Sequence, residues 1–227
     1  MIVFLQGLLD SGGLLGDDPD NLTTSLQLVL LMTVLSLAPA ILILMTSFTR
    51  IVIVLSFVRM GLATQQMPPT QVLISLALFM TFFIMAPVFG EINEESLTPL
   101  LNGEVNQEEA FDAAATPMKE FMSEHTREKD LSLFMGYAGM ERPETLNDIP
   151  LTALVPAFAI SELKTAFQIG FLIFVPFLVI DMIVASVLMS MGMMMLPPVM
   201  ISLPFKILLF VLVDGWYLIV ESLLISY

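Results

Sequence analysis

Between Leu22 and Met60 the chain runs for 39 residues with only two charged side chains, Arg50 and Arg59. As one helix this run would be roughly 58 Å long, nearly twice the ~30 Å hydrocarbon core of a bilayer. Three further apolar stretches follow: Thr70 to Gly90 without charge, Phe167 to Met191 with only Asp181, and Val199 to Val220 with Lys206 and Asp214. Hydrophobic residues make up 57% of the 227 and charged residues 13%, with a mean hydropathy of +0.90. Ordinary soluble domains carry roughly 45–50% and a quarter, so one globular core cannot bury this much apolar surface. The expected fold is all-α and multi-pass in a membrane, its four hydrophobic helical segments forming two hairpins.

Basic residues set the orientation. The connection between the first two stretches carries Arg50 and Arg59 and no acid, whereas residues 1–21 hold four acids and no base. Residues 91–162 hold fifteen acids and four bases. The short turns therefore face the cytoplasm, and both termini and the acidic segment face outward. Four regions are expected: an extracytoplasmic tail at 1–21, a hydrophobic hairpin at 22–90, an acidic extracytoplasmic helical domain at 91–162, and a second hairpin at 163–227. The opening MIVFLQGLLDSGG lacks a basic n-region and reads as that tail rather than a signal peptide. Within the acidic segment, Asn106 and Glu109 form a capping-box pattern, and Thr116–Pro117 reads as a second helix start. Met118, Phe121 and Met122, then Leu131, Phe134 and Met135, recur at helical spacing. Two or three short amphipathic helices with acidic outer faces are expected.

The residue inventory removes most chemistry. The absence of cysteine and the single histidine, His125, exclude thiolate and histidine-based metal sites. A net charge of −14 offers no basic patch for nucleic acid. No nucleophile elbow, P-loop or metalloprotease motif occurs, and Glu94–Glu95 and Glu108–Glu109 lack the spacing of a calcium loop. His125, among the charges of SEHTREKD, reads as a solvated surface residue. Neither an enzyme, a cofactor nor a metal is expected.

Arg50 and Asp181 are ionisable groups inside apolar stretches, where such groups face protein or water rather than lipid. They either neutralise one another or backbone groups in a tight interface, or relay protons. The few titratable groups favour the structural role. Met189, Met191 and Met193, Met194 and Met195 fall at the turn between the third and fourth stretches, closed by Pro197–Pro198. Exposing Met193–Met195 to water wastes apolar burial, so they should face a partner or one another. Several copies around an axis would make a ring of flexible thioethers that excludes ions by dewetting.

Long ordered motifs carry a family resemblance. They are LAPA at 37–40 running into ILMTSFTRIVIVLSFVR, which ends at Arg59, then ATQQMPPTQVL at 63–73 and FIMAP at 83–87. KEFMSEHTREKDLSLF at 119–134, LVPAFAISELKTAFQIGF at 154–171 and DMIVASVLMSMGMMMLPPVMISLPFKILLFVLVDGW at 181–216 complete the set. Over residues 22–225 the chain resembles the FliP/SctR family of bacterial type III secretion export gates. The resemblance implies a subunit of the flagellar basal body in the bacterial cytoplasmic membrane. It implies a ring of five that, with FliQ-like and FliR-like partners, surrounds a channel for unfolded protein substrates. It also implies that Met-rich loops form a gasket, that Glu162 and Lys206 bridge neighbouring subunits, and that the outer segment with Phe121 and Phe134 helps subunits associate. Within one straight hairpin, Glu162 and Lys206 would be offset by roughly 40 Å. The residues themselves leave open a solvated Glu162, a Lys206 that snorkels to the interface, and phenylalanines that merely fill a small core. A scaffold that nucleates the apparatus without lining its pore is the alternative function.

Overall fold

The computed structural model describes residues 19–64, 67–140, 143, 145–193 and 195–227. The described residues form helices and turns, with no strand among them. Residues 1–18 of the expected N-terminal tail lie outside the described part.

By its contacts the chain divides into two units, residues 1–42 and 43–227. Helix α1 begins at Pro19 and ends at Met45, with Pro39 inside it. In the first unit its described side chains from Val29 to Ile41 are all exposed.

The long first apolar run breaks at Thr46–Ser47, and its first helix continues through Pro39. There the Phe48 amide donates to the Thr46 hydroxyl at 3.3 Å. Helix α2, Phe48–Gly61, then starts afresh. Hydroxyl side chains offer the backbone local partners that compete with the helical ladder. A proline in the apolar run is tolerated when neighbours accommodate the freed carbonyl.

Helix α3, Thr70–Ile84, bends by 55° into Ala86–Asn102, which comprises α4 (Ala86–Ile92), a π turn at Asn93–Leu97, and α5 (Thr98–Asn102). Helix α6, Gln107–Glu124, opens on the expected capping box: the Asn106 side chain accepts from the Glu109 amide at 2.9 Å, and Glu109 accepts from the Asn106 amide at 3.1 Å. Pro117 does not start a new helix; α6 runs through it, and Pro117 is itself buried. Glu108, Asp112, Glu120 and Glu124 form the exposed acidic face, while Phe121 and Met122 are buried. Helix α7 spans Glu128–Tyr137. The acidic segment's core joins Phe121, Met122 and Ile149 to Met85, Leu154 and Phe158.

Helix α8 runs 40 residues, from Leu151 to Ser190, and is the one described helix long and apolar enough to cross a membrane alone. It passes through position 162 without a break, so the division expected at 162/163 has no counterpart in secondary structure. Glu162 is itself a good helix former and gives the helix no reason to end there. Helices α9, Pro198–Leu212, and α10, Gly215–Ile225, meet at a 62° bend. Asp214 stands at that bend with φ +50° and is exposed. This left-handed conformation is one that Asp tolerates better than most residues. The acidic residue within the fourth apolar stretch therefore marks its corner. Counting each bent pair as one span, four segments reach membrane-crossing length and apolarity.

The principal seam lies between α2 and α8. On α2, Ile51, Val54, Leu55 and Val58 recur at helical spacing with no exposed surface. The helices approach closely because each carries a glycine beneath the other's aromatic ring. A Cβ on Gly61 would stand 2.6 Å from the Phe177 ring, and one on Gly170 would stand 2.5 Å from the Phe57 ring. Small residues permit this kind of approach between apolar helices.

Candidate functional site

Three features stand out along the apolar helices, and the first is a buried polar network around Glu162. Arg50 Nε donates to Glu162 Oε2 at 2.9 Å and Arg50 Nη2 donates to Oε1, a fork-on-carboxylate pair. The Arg50 and Glu162 side chains are 4% and 0% exposed. Arg50 Nη1 donates to the Ser226 carbonyl at 2.7 Å and lies 3.1 Å from its hydroxyl. The Tyr227 hydroxyl donates to Glu162 Oε2 at 2.5 Å, while its ring lies 3.8 Å beneath the Arg50 guanidinium. Phe121 stacks on the same ring at 6.0 Å and His125 lies 4.9 Å from it. Burial first, and then the Glu162 carboxylate, hold the Tyr227 phenol above its ordinary 10.0, so the hydroxyl remains a donor.

The second feature joins α8 to α9. Lys206 Nζ donates to Asp181 Oδ2 at 2.6 Å, and the Ser202 hydroxyl donates to Asp181 Oδ1 at 2.5 Å. Ser202 and Lys206 are four residues apart on α9, so one helix face presents both donors. Lys206 is buried with a side chain 2% exposed, whereas Asp181 retains 29%. Lys206 therefore does not snorkel out of the chain. Arg50 and Asp181 do not neutralise one another, and Glu162 and Lys206 are not partners within the chain. Each of the four has a different mate, because the crossing of α2 on α8 brings positions 50 and 162 together and the α8–α9 hairpin does the same for 181 and 206.

The third feature is the methionine-rich turn. Helix α8 ends with the Gly192 amide donating to the Met189 carbonyl at 3.0 Å and the Met193 amide to the Leu188 carbonyl at 3.0 Å. With Gly192 at φ +74°, this is a Schellman closure. Pro197 and Pro198 then open α9, where a missing amide costs nothing. Met189, Met191 and Met195 are 63%, 62% and 98% exposed, and Met193 is 43% exposed. Met194 lies outside the described residues.

Of the outer-segment pair, Phe121 is a core residue at 8% exposure and Phe134 is half-buried. His125 is half-buried rather than solvated; its Nδ1 lies 2.8 Å from the Phe121 carbonyl. Among the described residues no group of three histidine, cysteine or acidic side chains converges as a metal site would. At the start of α7, Ser161 Oγ donates to Asp130 Oδ2 at 2.6 Å and accepts from the Arg127 amide at 3.1 Å. That hydroxyl first, and then the Arg127 guanidinium paired to the same carboxylate, hold the Asp130 carboxyl below its ordinary 3.8. Sequence reasoning missed Tyr227, Ser226 and Ser161. Ser202 could have been found from its four-residue spacing to Lys206.

The FliP family matches residues 31–223. Flagellar biosynthetic protein FliP of Bacillus subtilis (strain 168) is 74% identical over 210 residues, 92% of this chain and 95% of the relative. The protein of the same name from Caulobacter vibrioides is 56% identical over 201 residues, covering 88% of this chain and 76% of the relative. That of Aquifex aeolicus is 50% identical over 209 residues, 91% and 87% respectively.

Proposed function

The chain belongs to the FliP family, and from that premise we propose that it is a pore-forming subunit of the flagellar protein export gate. In this reading several copies, five by the family resemblance, surround a channel for unfolded substrates in the bacterial cytoplasmic membrane. FliQ-like and FliR-like subunits complete the wall. The methionines of the α8–α9 turn close the channel.

One observation carries the gate assignment. Beside and within a turn flanked by a Schellman closure and a proline pair, Met189, Met191 and Met195 are each more than half exposed. Apolar side chains exposed at a turn contribute to stability only if something covers them. Around a symmetry axis they would cover one another. Thioether side chains have many low-cost rotamers and repack around varied polypeptides. A dry ring of them stops ions without a specific binding site.

The test is Met193–Met195 replaced by three alanines. The expected result is intact oligomer, counted by native mass spectrometry, with a membrane that leaks small ions. An assembled complex that stays tight to ions and exports normally would overturn the gate. A complex that assembles with its partners but has no hole would instead support the scaffold function.

A further inference from the structure

Of the two arginines in the first apolar run, Arg50 is bound to Glu162. Among the described residues no acidic side chain pairs with Arg59, and residues 22–90 contain no acid in sequence. Arg59 is half-buried, and its Nη1 donates to the Thr70 hydroxyl at 2.9 Å. A guanidinium carries five donors, so this neutral contact leaves most of them, and the whole charge, without an answer. The helix ends do not supply one. Arg59 lies in the last turn of α2, whose end carries about half a negative charge, and Thr70 opens α3, whose start carries about half a positive one. Brought together at the guanidinium, the two nearly cancel.

Arg59 is also the charged residue on the wall of an apolar groove of about 540 Å3. Val52, Ile53, Phe57 and Met60 of α2 and Phe167 of α8 make the rest of that wall, with Met60 and Phe167 each 55% exposed. From Val52 to Met60 the groove follows α2 for roughly 12 Å, most of one leaflet's share of the ~30 Å hydrocarbon core. The Phe57 and Phe167 rings meet edge to face at 5.4 Å, and the Phe57 ring rests against Gly170, so the groove is a formed part of the α2–α8 seam. Its other polar side chains are engaged with the backbone. The Ser56 hydroxyl donates to the Val52 carbonyl at 2.7 Å, and the Thr64 hydroxyl donates to the Met67 carbonyl. The donors left for an anion belong to Arg59.

We propose that this groove binds one anionic membrane lipid, with its phosphate on the Arg59 guanidinium and an acyl chain along Phe57 and Phe167. The two halves of the site select that class together. A zwitterionic lipid brings its own cation and gains less from Arg59. A soluble phosphate has nothing to lay against the apolar wall, and an uncharged apolar ligand leaves the guanidinium unanswered. The orientation expected from the basic residues puts this lipid in the cytoplasmic leaflet. A net charge of −14 makes the chain as a whole repel anions, so an anionic lipid that stays bound reports a local site. Such a site would serve a pore-forming subunit and a scaffold alike.

The test is a competition between dioleoyl phosphatidylglycerol and dioleoyl phosphatidylcholine for the full chain purified in detergent. Retained lipid is read by native mass spectrometry on monomer and oligomer separately. Phosphatidylglycerol should be favoured by roughly fivefold on both species. Arg59→Gln should remove the preference. Arg59→Lys, which keeps the charge without the planar fork, should keep part of it. Lys164→Gln, which removes an exposed cation elsewhere on α8, should leave it intact. Phe167→Ala should weaken both lipids and preserve their ratio, and glycerol phosphate, a headgroup without chains, should displace neither. Absence of a preference in the unaltered chain, or a preference that survives Arg59→Gln, overturns the proposal. Displacement by glycerol phosphate would make the groove a soluble-anion site, and a preference lost on oligomerisation would give it to a protein neighbour; each overturns the lipid. Where Arg59→Gln yields no folded chain, Arg59→Lys decides, and an unchanged ratio overturns the site.

Discussion

Helix α8 is one unbroken element with two different lives. From Leu151 to Gly170 it buries Ala153, Leu154, Ala157, Phe158, Ser161, Glu162, Ala166 and Gly170; from Phe171 to Ser190 it buries only Phe177 and Leu188. Both halves are apolar, so hydropathy does not separate them. Small residues do: alanine, serine and glycine dominate the buried half and let α2 and α7 come close. The second half carries larger side chains such as Leu172, Met182 and Ile183, exposed at 70%, 62% and 59%. Its first half packs one face within the chain while Ile160, Leu163 and Phe167 stay exposed, and its second half keeps most of its apolar surface open.

The ion pairs follow the same division. Arg50–Glu162, in the first half, is closed on all sides, whereas Asp181–Lys206, in the second, leaves the acid 29% exposed. A buried pair is weak evidence for stability by itself, since desolvation offsets much of its attraction. Once made, it holds its two helices together, because separating them strands both charges.

The comparison breaks first, and hardest, at Gly170. Gly170→Val drives side-chain atoms into the Phe57 ring and should cost about 3 kcal/mol, read as a lower aggregation temperature of the solubilised chain. If the chain is unaffected, the two halves are not packed differently after all. Asp181→Asn tests the open half. The amide oxygen still accepts from Ser202, but Lys206 loses its counter-charge, and the cost should be about 1.5–2 kcal/mol. Assembly and export should both persist. Export lost from an intact complex would make Asp181 a proton-coupling group and end the structural assignment.

Smallest is the change at the α7–α8 contact, where the sign with pH can be worked out. Asp130 has a folded value below its unfolded one. Its contribution is therefore fully present above the unfolded value of about 3.9. It is lost as the pH falls through the lower folded value. Hydrogen-exchange protection across Glu128–Tyr137, taken relative to the intrinsic rate at each pH, should fall on acidification below about pH 4. Ser161→Ala should cost about 1 kcal/mol at neutral pH and flatten that acid dependence. An unchanged acid profile would remove Ser161 as its cause.

Much of the local structure was legible because its causes are local. The capping box at Asn106–Glu109 and the helix boundaries around Gly192 and Pro198 depend on residues within a few positions of each other. The four membrane-length segments were legible for a similar reason, since an uncharged run of about 20 residues has few other uses. The break at Thr46–Ser47 and the continuation of α6 through Pro117 were not. At Pro117 the residue type suggested a start, but the helix runs through it with Pro117 buried, and nothing in the uniform apolar pattern of the first run marked its break.

The sequence by itself determined that the chain is all-helical and rich in membrane-length segments. It also determined that a few charges must be buried, and that a cluster of methionines sits at a turn. Tertiary structure alone decided which charges meet. Arg50 could have answered Asp181 or Glu162, and Lys206 either acid, on charge alone. The choice rests on the crossing of α2 over α8 at Gly61 and Gly170, and on the return of residues 226–227 to the same point. Both are contacts between residues more than 100 positions apart. Helical periodicity says which side of a helix is apolar, but the partner of a buried charge is set by where two helices cross. That depends on the volume of every side chain along the seam.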